Sequence, residues 1–471
     1  MENKTALRSE SLDSLRGLAI LMMVLSGAIP FGGALPGWMY HAQEPPPTHA
    51  FQPTIPGISW VDLVFPFFIF SMGAAIPFAI SSRLRRGDSN IKIVGGNFYR
   101  WIALSLFSFF IYYIRPWVIT ETGPVKWLFC LIGFFLLVCT FIKLPDNSAV
   151  KKLERALNAG GAILLSAFIL ILNSTGLISL SFNSFDIIIM ILACISLFGA
   201  IIQLVSRGSL LILTAFWVII TSMYITSGIT ESWVTEIWNY SPVPWLLSWA
   251  YLKYLMILIP GIWAGTVVKD FFSNQDEEFY EKNGIISVIL ALVLLSVNVV
   301  IVCGLYSRVL VPVFIWTIAG FGISFLLINR WKSNFKPLIR KLLIGSAFFV
   351  IPGLIVEPVQ GGIKKDPATL GYLVLTAGMA MLMLIVFSLV IDLKKNKKAF
   401  FLLRGSGKNA TLAYFTGSNL VVPVFALTGI DALFEHFTNQ PMWQTVKGII
   451  ITLLVAWVSA IASKKRYLFK T

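Results

Sequence analysis

An all-α polytopic membrane helix bundle, with about 11 to 14 transmembrane helices, is the fold this 471-residue sequence predicts on three observations. Residues are 57% hydrophobic and only 13% charged, against about 25% charged in soluble domains, and mean hydropathy is +0.81. Apolar stretches of about 20 residues, each long enough to cross the ~30 Å hydrocarbon core, recur along nearly the whole chain. Runs such as Ile163 to Leu172 and Ile285 to Val302 are apolar on nearly every face, which argues against the alternating pattern of a β-barrel.

The first span, 13–33, opens on Glu10, Asp13 and Arg16 and is followed by no small-x-small cleavage pattern, so it reads as a retained helix. Spans 59–81 and 98–118 are joined by Arg83, Arg85, Arg86, Lys92 and Arg100. Spans 126–143 and 158–178 are joined by Lys143, Lys151, Lys152 and Arg155. Spans 184–205, 209–228, 244–268, 284–304 and 309–328 follow. Arg330, Lys332, Lys336, Arg340 and Lys341 precede span 342–358, and span 369–392 comes next. Lys394, Lys395, Lys397, Lys398, Arg404 and Lys408 precede span 408–428. Span 443–463 ends in Lys464, Lys465, Arg466 and Lys470. Every one of these basic connections follows an even-numbered span, so the positive-inside tendency puts them and both termini on the cytoplasmic side. Lys269 to Lys282 joins them by parity, although Asp276, Glu277, Glu278 and Glu281 make it acidic. The net charge of +15 is therefore a topology signal; membrane lipids are expected partners and nucleic acid is not.

The opposite face receives 34–58, 229–243, 358–368 and 429–442, rich in Pro, Trp, Gly and Asn. The first of these has six prolines among residues 36–56, which lowers the entropy cost of ordering a site there. His41, His49 and His436 all fall on this face. No internal repeat or low-complexity segment is present. The four cysteines sit inside apolar runs without metal-ligand spacing, read as small hydrophobes, and no metal site is expected.

Ionisable groups in or beside membrane spans are costly and therefore functional candidates. Asp13 and Arg16 stand at i, i+3 on one helical face and can pair, with Ser11 placed to cap the helix. Arg16 suits either a snorkelling interfacial role or a phosphate-bearing donor arriving from the cytoplasm. His41 and His49 are candidates for a general base or acyl acceptor, against the plainer role of a loop histidine bonded to a carbonyl. Asp62 opens the second span, where helix capping alone also explains a carboxylate. Lys253, read as lying well inside the eighth span, needs water, a carboxylate or an anionic ligand. Lys365 and Asp366, in the turn Glu357 to Pro367, can bind a polar substrate or be solvated. Arg404 to Asn409, including Lys408, offers backbone N–H groups and positive charge to a phosphate, but GxxxxGK[ST] is absent and an ordinary basic loop also fits.

The stretch from Arg8 to about Arg86, with SLDSLRGLAILMMVL and SWVDLVFPFFIFSMGAAIPFAI, resembles the heparan-α-glucosaminide N-acetyltransferase family and its bacterial relatives. The resemblance resumes in YLKYLMILIPGIWAG, GGIKKDPATLGYLVLTAGMAMLML and GKNATLAYFTGSNLV. It implies one integral membrane domain over 1–471, with 1–126 and 244–428 as acyltransferase core and 127–243 as additional helices that match nothing. It also implies a bacterial inner-membrane enzyme moving acetyl from cytoplasmic acetyl-CoA to an amino sugar or glycan on the outer side. In that family the catalytic histidine precedes the DLVFP motif; the nearest match is His49, and the longer spacing here leaves His41 as its competitor. Asp62 joins them as catalytic, Arg16, Asp13, Arg404, Lys408 and Asn409 fall to the coenzyme A side, and Lys253, Lys365 and Asp366 to the acceptor. The animal members use an asparagine late in the first helix, where this sequence has Ser26 and Gly27. The rival class is a transporter or flippase for a sugar or lipid-linked glycan, for which an internal repeat would be expected. Residues 127–240 are open to three roles: ornament, homodimer surface or tunnel wall.

Overall fold

The computed structural model describes residues 9–31, 35–145, 148–241, 243, 245–274, 279–282, 284–435 and 441–469. Its helices, in order, are α1 (Glu10–Ala28), α2 (Val64–Arg85), α3 (Asn90–Tyr113), α4 (Gly123–Phe141), α5 (Ser148–Ser174), α6 (Ile187–Ser206) and α7 (Leu210–Thr226). The short α8 (Trp233–Asn239) leads to α9 (Leu255–Ser273), α10 (Gly284–Tyr306), α11 (Leu310–Arg330), α12 (Lys336–Ile355) and α13 (Leu370–Phe387). The remainder is α14 (Phe401–Lys408), α15 (Ala410–Thr416), α16 (Val422–Thr428), α17 (Ile430–Glu435) and α18 (Pro441–Lys464). Among the described residues, twelve helices are long and apolar enough to cross a membrane, and α3 and the shorter α7 fill the other two of the fourteen expected spans. His436, Asp276, Glu277, Glu278 and Lys470 lie outside the described residues.

Burial sorts the helices by position. All of α13 except Leu370 and Met383 is buried, as a helix apolar on every face should be at the centre of a bundle. In α7 only Leu213 is buried, so the same composition there faces lipid. Between α2 and α9 the backbones touch. A Cβ on Gly73 would meet the Leu258 carbonyl at 2.3 Å, one on Gly261 the Phe70 carbonyl at 2.3 Å, and one on Gly265 the Ala74 carbonyl at 2.1 Å. Gly261 and Gly265 form a GxxxG pair, the spacing that lets membrane helices approach most closely.

Several boundaries differ from the sequence reading: α3 and α5 start early, at Asn90 and Ser148, so that Lys92, Lys151, Lys152 and Arg155 lie inside helices, and two further differences have local reasons. Helix α1 begins at Glu10 because Ser9 caps it, its hydroxyl accepting from the Leu12 N–H at 3.4 Å; Ser11 lies inside the first turn, 2.8 Å from the Ser9 hydroxyl. It stops at Ala28, five residues early, because Ile29 precedes Pro30 and takes an extended conformation. The eighth span starts as a 3-10 turn, Trp249–Tyr254, so Lys253 sits at the mouth of α9 and not well inside a helix.

Two short strand pairs close the connections at one end. β1 (Ile142–Lys143) pairs with β4 (Leu468–Phe469), and β2 (Glu281–Lys282) pairs with β3 (Lys332–Ser333), both antiparallel. The second pairing explains how an acidic segment shares an end with basic ones: Glu281 accepts from the Trp331 indole N–H at 3.3 Å and pairs with Lys394.

Candidate functional site

Residues from the proline-rich loop, the start of α2 and the turn before α13 converge at one end of the bundle. The His41 Nδ1 lies 2.7 Å from Asp62 Oδ1, with His41 28% exposed and Asp62 2%. Asp62 sits in a short 3-10 turn, Val61–Leu63, that feeds α2. Its second oxygen accepts from Ser59 N (2.8 Å) and Ala42 N (3.2 Å), so the backbone fixes the carboxylate, and the Ser59 hydroxyl beside it donates to the Tyr40 carbonyl. The Asp62 carbonyl in turn accepts the buried Tyr372 hydroxyl at 2.7 Å. A buried carboxylate with this many donors and one imidazole orients that ring and sets which nitrogen carries the proton.

Lys365 Nζ stands 3.2 Å from each nitrogen of the His41 ring. Both contacts are of hydrogen-bond length, so the ammonium brings positive charge to the ring and is placed to donate to the nitrogen that Asp62 does not hold. The turn holding it is clamped to the loop by Gln43, which accepts from Asp366 N at 2.9 Å and donates to the Asp366 carbonyl at 2.5 Å. Lys253, over the Tyr254 ring at 5.5 Å, faces the Asp366 charge. Arg308 pairs with the buried Glu357 at 2.6 Å and pins the start of the same turn. His49 is placed differently. Its Nδ1 is 3.2 Å from the Glu44 carbonyl, its ring packs edge-on to Phe31 and Tyr40 at 5.2 and 4.4 Å, and its φ is +52°.

A cavity of about 400 Å³ lies along α2, bounded also by α1, α3, α6, α14, α15 and Phe469. Arg16, Arg100, Asn97, Lys408 and Asn409 bring polar groups to a wall that is otherwise mostly Ile, Leu, Met, Phe and Ala. Arg16 donates to the Ser71 and Gly407 carbonyls at 3.1 and 3.4 Å, which pins its guanidinium between α2 and the α14–α15 junction. Lys408 lies 3.4 Å from Glu10 and 3.9 Å from Asp13. Arg404 turns elsewhere, to Glu10 at 2.5 Å and the Lys397 carbonyl at 2.7 Å. The Asn409 side chain is spent on the chain's own tail, donating to the Tyr467 carbonyl and accepting from Phe469 N at 3.0 and 2.9 Å. Phe68, in the cavity wall, is six residues from Asp62, about 9 Å along the helix.

Sequence reasoning passed over Arg100, Asn97 and the Tyr414 hydroxyl at this cavity, and the ion pair behind it. Arg115 and Asp186 meet at 2.6 Å, with the Tyr414 hydroxyl donating to Asp186 at 2.9 Å. Charges so deep among apolar spans are themselves the signal that would have found them. Among the described residues no three His, Cys, Asp or Glu side chains gather as a metal site would require.

A family model described as a domain of unknown function (DUF5009) matches residues 8–268, more than half of the chain. The chain belongs to the DUF5009 family. It is also similar to the human heparan-alpha-glucosaminide N-acetyltransferase, 30% identical over 120 residues that make up 26% of this chain and 15% of that protein. The mouse protein of the same name is 29% identical over 126 residues, 26% of this chain and 16% of its own length. The match thus spans less than a sixth of either relative.

Proposed function

We propose that this membrane protein is an acetyltransferase, taking acetyl from acetyl-CoA and placing it on an amino sugar or glycan at the opposite face of the bundle. The observation that carries the reading is the His41–Asp62 pair, 2.7 Å apart with its carboxylate buried, in a chain similar to a named N-acetyltransferase. With Nδ1–H donating to Asp62, the other ring nitrogen holds a lone pair. An ammonium sugar is not a nucleophile until it loses a proton, and that nitrogen can take it. The amine then adds to the thioester carbonyl, the C–N bond forms and the C–S bond breaks; of the two protons the ammonium sheds, one passes by way of His41 to the coenzyme A thiolate and the other leaves to water. Lys365 supplies positive charge beside the oxyanion formed on the way. Arg16, Arg100 and Lys408 supply cations for coenzyme A phosphates at the cavity, whose apolar length fits a slender acyl-bearing arm. The basic end is the cytoplasmic one in this scheme, and His41 serves the external face.

His41 is preferred to His49 as base because His41 has a buried carboxylate to orient it, whereas His49 faces a carbonyl and two aromatic rings. The test is transfer of labelled acetyl from acetyl-CoA to glucosamine by purified protein. His41→Ala should cut kcat by about 10² to 10⁴, and His49→Ala by less than about tenfold. Full transfer by His41→Ala would sink the mechanism.

A further inference from the structure

Beside the His41 site an open groove of about 480 Å³ is lined by residues that include Leu35, Trp38, Met39, Met442, Val446 and Ile449, with no charged side chain among its described lining residues. Met39 precedes His41 by two residues, so their Cα atoms lie within about 7 Å. Buried Tyr40, between them, fixes that wall: its carbonyl accepts the Ser59 hydroxyl at 2.5 Å and its own hydroxyl donates to the Pro30 carbonyl at 2.6 Å. Ser59 also bonds Asp62, so groove and dyad share one anchor. The far wall belongs to α18. There Met442, Ile449, Leu453 and Trp457 are 75%, 44%, 53% and 57% exposed, and with Val446 they recur at helical spacing along one face. The groove is therefore continuous with the lipid-facing stripe of a membrane-spanning helix.

A free monosaccharide has no use for such a surface. A polar reacting centre whose neighbouring groove drains into the hydrocarbon phase suits a ligand with a polar head and an apolar tail. We propose that the acceptor is amphiphilic: an amino sugar carried on a hydrocarbon chain, the chain lying along Trp38, Met442 and Ile449 and the amine presented to His41. The inference rests on the acetyltransfer reading and specifies its acceptor class.

The experiment uses the full chain in nanodiscs with acetyl-CoA and two acceptors, glucosamine and dodecyl glucosaminide with a free amine. The wild type should use the dodecyl acceptor with kcat/KM at least tenfold above glucosamine. Val446→Trp, which fills the groove, and Trp38→Ala, which removes a wall, should shrink that preference to threefold or less while glucosamine transfer stays within twofold of wild type. As a readout besides turnover, a diazirine at the end of the dodecyl chain should label residues 441–449 in wild type and not in Val446→Trp. Equal use of both acceptors, or a preference that survives both variants, would overturn the groove assignment while leaving acetyl transfer standing, as would a groove filled only by bulk phospholipid. No transfer to either acceptor, or transfer undiminished in His41→Ala, would overturn the parent reading and this one with it.

Discussion

At the scale of single residues, Asp62 decides more than its charge suggests. Its Oδ2 takes two backbone N–H groups, and its Oδ1 takes His41. In Asp62→Asn the amide oxygen can keep the backbone side, but the NH₂ then faces Nδ1 and forces the proton onto the other ring nitrogen, which can no longer act as base. Asp62→Asn should leave the melting temperature near that of wild type and lower kcat by about 10² or more, with KM for both substrates little changed. Arg100 makes the opposite test at the cavity. No carboxylate among the described residues pairs with it, so its charge is available to a ligand. Arg100→Gln should raise KM for acetyl-CoA by about tenfold, leave kcat nearly intact, and flatten the dependence of KM on salt. Ser26 donates to the Met23 carbonyl at 2.8 Å and so is already committed to its own helix.

At the scale of elements, the contact between α2 and α9 holds the His41–Asp62 pair and the cavity in register, since Asp62 lies at the mouth of α2 and Phe68, Met72 and Ile76 lie along the cavity wall. Gly265→Ile would drive a branched side chain into the Ala74 backbone, 2.1 Å from the first added carbon. Thermal unfolding in detergent should show a loss of about 2 kcal/mol or more, whereas the same change at Gly322, where a Cβ meets nothing, should cost little. Each apolar span was legible in the sequence because length and composition alone specify it. Helix ends and site partners were less so. Ser11 reads as the cap in the sequence, but Ser9 takes that role because its backbone is the extended one, and Lys253 moved to a helix mouth because a 3-10 turn is indistinguishable in pattern from α. His41 and His49 differ by a contact 21 residues away with Asp62, which spacing does not encode. Arg16 and Lys408 drew attention because charge beside a span is conspicuous, and both line the cavity, while Asn409 drew attention for its motif and bonds the tail.

At the scale of the whole molecule, the pairing of β2 with β3 and the bond from Lys394 to Glu281 gather three connections at one end, the arrangement expected from the sequence parity of fourteen spans. Lys364 lies at the other end, in the turn beside the His41 site. Single cysteines should divide accordingly: in intact cells Lys364→Cys reacts with a membrane-impermeant maleimide, and Lys398→Cys reacts only after permeabilisation. The reverse pattern would put the histidines inside and exclude the proposed direction of transfer. The wall of the cavity has a temporal meaning as well. It is made of residues from Arg16 to Phe469, and Phe469 packs among Phe107, Phe141 and Phe415 while Asn409 grips its backbone. A ribosome feeding the chain into the bilayer would insert α1 to α18 before that last strand could dock. Capacity to hold the donor would then arise in a single late event, and a nascent chain halted at Lys464 would be threaded through the membrane yet without a finished chamber.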